Sequence, residues 1–188
     1  MRRILYGMFV SLDGYISGPN GELDWAIVDE ELHRYVNDRA QTIDTQLYGR
    51  RMYETMNFWL TADTDPNLRD YEREFASLWQ RAERIVFSKT LRDVQGNARL
   101  MRDIDPQEIE ALKRQPGQDI EVGGAHVAAA LMRHGLIDEY QVYVHPVILG
   151  GGTPMFMAAN ARTSLRLVET RTFSAGVVLL RYEPGKES

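Results

Sequence analysis

The chain has 188 residues, no cysteine and a formal net charge of −5. That length suits a single domain able to bury its own core, and the lack of cysteine excludes a disulfide framework and any thiolate metal site. The acidic balance disfavours a nucleic-acid partner, and no apolar run is long enough to span a bilayer, so a cytoplasmic protein without membrane contact is expected.

In chain order, residues 3–12 (RILYGMFVSL) read as a buried strand. The start is charged and then apolar, as in a signal peptide, but Asp13-Gly14 breaks the run without a small-residue cleavage site. SLDGYISGPNGELDW reads as a long loop full of turn residues. Asp29 is placed to cap a helix, DEELHRYVNDRA, with Leu32, Tyr35 and Val36 as its apolar stripe. TIDTQLYG is a strand ending at Gly49, and RRMYETMNFW a short helix. Asp65-Pro66 has the form of a helix start, with Leu68, Tyr71, Phe75, Leu78 and Trp79 following at helical spacing. ERIVFS and ARLMRD read as strands, and Asp105-Pro106 opens the helix IEALKR. QDIEV is a further strand, followed by a helix, GGAHVAAALMRHG, that closes at Gly135. DEYQVYVHPVIL alternates as a strand, and SLRLVETRTF–SAG–VVLLRYE reads as a hairpin. Strands alternating with helices imply a mostly parallel sheet with crossover helices, to which the hairpin adds antiparallel strands. The expectation is one α/β domain over residues 1–188.

Three strand ends carry chemistry. In EVGGAHV a strand hands over to a helix through Gly123 and Gly124, which suits either an anion on the bare amides of the helix start or a tight turn needing positive φ. YGRRMYET places Arg50 and Arg51 just beyond Gly49, where a guanidinium can grip phosphate; FSKT offers Ser88 and Lys89 at the same edge. All but three of the 22 basic residues are arginine, so position alone separates ligand-holding guanidiniums from solvated ones. Together these ends suggest a site for a molecule with two separated anionic groups. In the first loop Asp13 reads as a substrate contact or a turn-former, and Trp25 as a stacking partner or as core. The four histidines show no metal-ligand spacing, and neither a GxSxG elbow nor a phosphate-loop motif occurs.

The stretches SLDGYISGPNG, LYGRRMYE, IVFSKTL, EVGGAHVAAALMRHGLIDEY and HPVILGGGTPMF, in this order, resemble the dihydrofolate reductase superfamily. Within it they are most similar to the reductase domain of bacterial riboflavin-biosynthesis deaminase-reductases, here without the deaminase domain. The resemblance implies about eight mostly parallel strands flanked by helices and NADPH across their carboxyl edge. It implies that Gly49, Arg50, Arg51 and Met52 meet the cofactor, with an arginine near its 2′-phosphate, and that Ser88 and Lys89 lie on the adenosine side. Gly123, Gly124, Ala125, His126 and Val127 would hold the pyrophosphate, the glycine side chains being absent because phosphate fills that space. Phe9, Val10 and Ile16 would line the nicotinamide under Trp25. Arg39 and Glu121 match positions that contact a phosphoribosylamino-pyrimidine, and Asp13 is a third candidate substrate contact. The chain departs from that branch at Leu23, where the branch carries serine.

The expected function is NADPH-dependent reduction of a small pterin, pyrimidine or ribosylamino compound; the alternative is a nucleotide-binding sensor without turnover. No metal site and no catalytic residue are assigned, and a homodimer is implied by the resemblance alone. HPVILGGGTPMF is expected to pack a partner subunit, close the substrate pocket or serve as core.

Overall fold

Local side-chain hydrogen bonds set where several helices begin. In the computed structural model, which describes residues 1–157 and 162–185, helix α1 (Glu30–Ala40) starts where the Asp29 carboxylate accepts the Leu32 amide at 2.9 Å. Helix α2 (Arg50–Met56) starts directly after Gly49 and tightens into a 3₁₀ turn at 57–60. Helix α3 (Asp70–Arg81) begins five residues after the Asp65 at which it was expected. Asp65 instead folds its carboxylate onto the Asn67 amide (2.9 Å), an Asx-type turn that competes with helix. The helix waits for Glu72, whose carboxylate reaches back to the Arg69 amide at 2.7 Å. Helix α4 (Pro106–Arg114) is capped by Asp105, and α5 (Ala125–Met132) follows Gly124. Among the described residues no helix is long and apolar enough to cross a membrane.

The strands are β1 (Ile4–Ser11), β2 (Tyr15–Ser17), β3 (Ile43–Gly49), β4 (Glu83–Phe87), β5 (Ala98–Met101), β6 (Asp119–Gly123), β7 (Glu139–His145), β8 (Thr153–Pro154), β9 (Leu165–Thr172) and β10 (Val178–Pro184). Eight of them form one sheet in the order β5-β4-β3-β6-β1-β7-β10-β9. All pairings from β5 to β7 are parallel, and β10 and β9 add antiparallel strands, so the α/β reading and the C-terminal hairpin hold. Strand β7 stops at His145 and does not run on to Leu149, because Pro146 has no amide to donate. A small second sheet, β2 with β8, was not anticipated.

Each sheet face has its own cover. On the first face Leu32, Tyr35 and Val36 of α1 pack with Phe9, Tyr143 and Leu179, while Trp79 and Phe75 of α3 pack with Tyr48 and Val86. On the second face α4 and α5 press Ile109, Leu112, Val127 and Leu131 onto Tyr6, Val10, Leu47, Ile85 and Val122. This is the two-sided burial that parallel strands require.

Candidate functional site

The parallel register aligns the carboxyl ends of the central strands: Tyr48 pairs with Gly123, and Gly49 with Phe87. Helices α2 and α5 therefore start side by side at one edge, each after a glycine with no capping side chain. In α5 the first intrahelical bond runs from the Ala128 amide to the Gly124 carbonyl (3.2 Å). The amides of Ala125, His126 and Val127 thus have no acceptor among the described residues, and the helix dipole adds to their pull on an anion. His126 is exposed in that first turn, whereas Ala125 and Val127 are buried.

The two glycines have different reasons for lacking a side chain. A methyl group on Gly123 would stand 2.6 Å from the Tyr48 ring and 3.0 Å from Met52, so the protein's own atoms occupy that space. This corrects the expectation that phosphate fills it. Gly124 has φ 97°, and a methyl group on it would meet, beyond its chain neighbours and among the described residues, only the Met52 Cβ at 3.6 Å. Its constraint is backbone conformation, and room remains for a ligand.

The basic groups at this edge differ. Arg50 is engaged by Glu54 at 2.7 Å and by the Thr90 hydroxyl at 3.0 Å. Arg51 is exposed and has no ion-pair partner among the described residues. Lys89 pairs with Asp103 at 2.9 Å in solvent. The buried Ser88 hydroxyl accepts from the Thr90 and Leu91 amides (3.2 and 3.0 Å), so it closes its own turn. Arg102, which sequence reasoning passed over, fastens the same turn by donating to the Ser88 and Leu91 carbonyls at 3.0 and 2.6 Å.

At the β1 end, Asp13 accepts from the Ser11 hydroxyl (2.7 Å) and from the Leu149 and Gly150 amides (3.1 and 2.7 Å). The Ser11 hydrogen bond, with those amides, holds its carboxyl below the usual range. Its turn-forming role is thereby explicit: it ties the first loop to the glycine-rich segment 149–152. Gly152 seals the tie, since a methyl group there would sit 1.9 Å from the Ser17 carbonyl oxygen.

Phe9 and Val10 alternate to opposite faces, Phe9 toward α1 and Val10 into the core under α5 with Ile16 beside it. Trp25 donates to the Glu22 carbonyl at 3.0 Å and meets His145 edge-on, ring centroids 5.4 Å apart. His145 was not assigned a role. It is wholly buried against Phe9 (5.0 Å), and its Nδ1 lies 3.0 Å from the Tyr143 carbonyl. Among the described residues its Nε2 makes no hydrogen bond of ordinary geometry, although the Ile27 backbone also acts on the ring. Burial pushes its pKa below the ordinary imidazole value. The only legible signal was its place before Pro146 inside a strand pattern, and the structure shows that the strand ends there.

Arg39 and Glu121 come near each other but stand back from the edge. Glu121 lies midway along β6, hydrogen-bonded by the Gln46 amide at 3.1 Å, and burial pushes its carboxyl above the usual range. Arg39, in the last turn of α1, approaches Glu139 at 3.6 Å, while its Nε is buried without a partner. They belong to a polar stripe on the first sheet face that continues through Gln141 and Arg181. Burial alone would raise Glu139, but hydrogen bonds from Arg181 and Gln141 outweigh it and hold the carboxyl low. A cleft of about 770 Å³ opens at the amino edge, lined by Asp44, Glu74, Arg81 and Gln118 among others. It touches none of the expected site residues.

The sequence model of the RibD C-terminal domain matches residues 2–179. The uncharacterized protein YyaP of Bacillus subtilis strain 168 is 38% identical over 182 residues, 96% of this chain and 94% of that protein. Among solved structures, a pyrimidine reductase-like protein of Corynebacterium diphtheriae superposes with a TM-score of 0.68 at 13% identity, covering 99% of this chain and 93% of that one. A dihydrofolate reductase of Enterococcus faecalis gives 0.65 at 15% identity, over 98% and 97%. At those identities the two superpositions establish the fold.

Proposed function

This chain belongs to the RibD C-terminal domain family, and on that premise we propose that it is an NADPH-dependent reductase of a small pterin, pyrimidine or ribosylaminopyrimidine compound. One observation carries the cofactor: two adjacent, uncapped helix starts open at the ends of neighbouring strands, with three acceptor-free amides on α5. Such a corner fits a diphosphate. The Enterococcus faecalis reductase of the same fold, described in complex with NADP(H), supports the choice of nucleotide.

When bound, NADPH supplies a hydride; what this chain contributes is position and exclusion of water. The amides of Ala125 and His126 would hold the diphosphate, and the free guanidinium of Arg51 the 2′-phosphate. Trp25 would shield the nicotinamide end from above, beside Phe9. Asp13 is committed to Leu149 and Gly150 and is poorly placed to move a proton. Glu121, whose carboxyl is pushed up by burial, is better able to carry one, with ordered water as the path outward.

Arg51→Ala tests the nucleotide reading. It should weaken NADPH binding by about tenfold, on the order of 1.4 kcal/mol for a lost guanidinium–phosphate pair, and leave NADH unchanged. Equal losses for the two cofactors would contradict the assignment. Consumption of NADPH across a panel of dihydropterins and aminopyrimidines then separates a reductase from a sensor, which would bind the cofactor and leave it unreacted.

A further inference from the structure

We infer that Gln46 is the positioning residue for Glu121: it binds one carboxyl oxygen from the β3 side and leaves the other free to give a proton to the substrate. This rests on the reductase reading and assigns the source of that reaction's proton. Strand β1 pairs with β6 only from Ile4 to Tyr6, while β7 follows it to Ser11. Beyond Tyr6 the β6 side of β1 lies open, and Gly7, Met8 and Phe9 are only half-buried in the middle of an eight-stranded sheet. Gly7 widens the gap, since a methyl group on it would meet, beyond its chain neighbours and among the described residues, only Gln141, at 3.5 Å. Because β6 ends at Gly123 and hands over to α5, the gap lies beside that helix start. Glu121 aligns with Leu5, and Gly7 is the next β1 residue on the same face, roughly 7 Å further on. Glu121 thus borders the gap from the first face.

Its hydrogen bonding sets it apart from the neighbouring carboxylates. Glu139 is held by Arg3, Arg181 and Gln141, and Asp13 by Ser11 and two backbone amides. Glu121, among the described residues, accepts a single bond, from Gln46 Nε2 to Oε2 at 3.1 Å, and Oε1 is left unengaged. Part of its surface stays open, whereas Gln46, aligned with it across β3 and β6, is only 3% exposed. The Gln46 Oε1 is buried without a partner. A buried amide with one half unsatisfied is unfavourable, and leucine would fill the position without that penalty. The bond to Glu121 is therefore what the amide contributes.

The same bond governs the proton. Burial favours the acid form of Glu121, while the Gln46 hydrogen bond and then the Arg39 charge favour the ionised form. Tyr48 from β3 and Tyr143 from β7 also face the carboxyl, and burial keeps both phenols neutral. Glu139 approaches Arg39 as well, and is itself neutralised by Arg3 and Arg181. Gln46 thus draws a buried acid back toward the range where it both loses and regains a proton. In the reaction the Glu121 O–H bond breaks as the heteroatom of the substrate's C=N or C=O bond takes the proton. The carbon receives its electron pair as the hydride of the bound dihydronicotinamide, and the Glu121 carboxylate recovers a proton from water.

Infrared titration of the cofactor-free protein reads the carboxyl directly, the band missing from Glu121→Gln identifying it. Gln46→Met, which keeps the length and loses the amide, should move the Glu121 midpoint upward by about one pH unit, the tenfold effect of one lost bond to a carboxylate. Gln46→Glu, of the same shape, should also move it upward because two adjacent carboxyls share a proton, and it stands in if the methionine variant does not fold. NADPH oxidation over a panel of dihydropterins and aminopyrimidines should fall at high pH in the wild type. In the variants that limb should shift with the infrared midpoint while NADPH affinity stays the same. Unmoved midpoints would overturn the assignment of Gln46, and so would a rate limb that stays in place while the midpoint moves. A wild type that oxidises NADPH with no compound of the panel would instead remove the reductase reading, and this proposal with it.

Discussion

His145 is wholly buried between Phe9 and Trp25, with one ring nitrogen on the Tyr143 carbonyl and the Ile27 backbone also acting on the ring. Burial keeps it neutral in the fold, and the same cause lowers His33. A folded pKa below the unfolded value of about 6.5 means that the unfolded chain takes up the proton first. The associated stability is fully present above that pH and is lost as the pH falls below it. Glu121, whose carboxyl is raised, acts with the opposite sign, since its protonation in the fold favours the native state on acidification. The informative quantity is therefore a difference between proteins. His145→Gln should show a smaller loss of urea midpoint than the wild type between pH 7 and 5.5, a window set at about the unfolded imidazole value. Identical slopes would mean that the imidazole is not held neutral. Little of this was legible beforehand: the histidine lay before a proline inside a strand pattern that was read on to Leu149, and only packing reveals that it faces inward. By contrast, Asp13 was legible as a turn-former because it precedes a glycine, and the Gly14 amide does close a turn onto the Ser11 carbonyl; its long-range bonds to the Leu149 and Gly150 amides were not legible.

Elements with a single strong boundary signal were readable, and those with competing signals were not. Asp29 and Asp105 announced α1 and α4 because each carboxylate caps a free amide of the first turn. Asp65-Pro66 carried the same signature, but its carboxylate closed a turn and the helix began at Asp70. The other end of α3 depends on a residue that strand periodicity concealed. Arg84, in the second position of β4, is fully buried and donates to the Trp79 and Ala82 carbonyls at 2.6 and 2.9 Å. Its guanidinium lies 4.1 Å from the Trp79 ring centroid. Among the described residues it has no carboxylate partner, and burial lowers its pKa. The charge is tolerated because it faces the negative end of the helix and an aromatic face. Arg84→Ala should destabilise the protein by about 2–4 kcal/mol, leaving helix-end carbonyls without a donor and a cavity beside Trp79. Chemical denaturation measures this directly, and a loss under about 0.5 kcal/mol, the size of a neutral surface change, would contradict it.

At the scale of the molecule, the order of strands and helices contained the architecture, because alternation admits few sheets and handed crossovers admit fewer. The β2–β8 sheet escaped notice because two- and three-residue strands leave no periodicity, and the Gly152 contact that makes it possible is a tertiary fact. The carboxyl edge was half legible. Its strand ends were found, but the reason for Gly123 turned out to be the Tyr48 ring, and the amides of α5 now carry the cofactor argument. Their role is a claim about place as well as affinity, so a crystal structure grown with saturating NADPH addresses it most directly. The account predicts diphosphate oxygens within hydrogen-bond reach of the Ala125 and His126 amides and the 2′-phosphate beside Arg51. Crystals at full occupancy with the diphosphate elsewhere, or with the α5 corner closed by protein atoms, would contradict it.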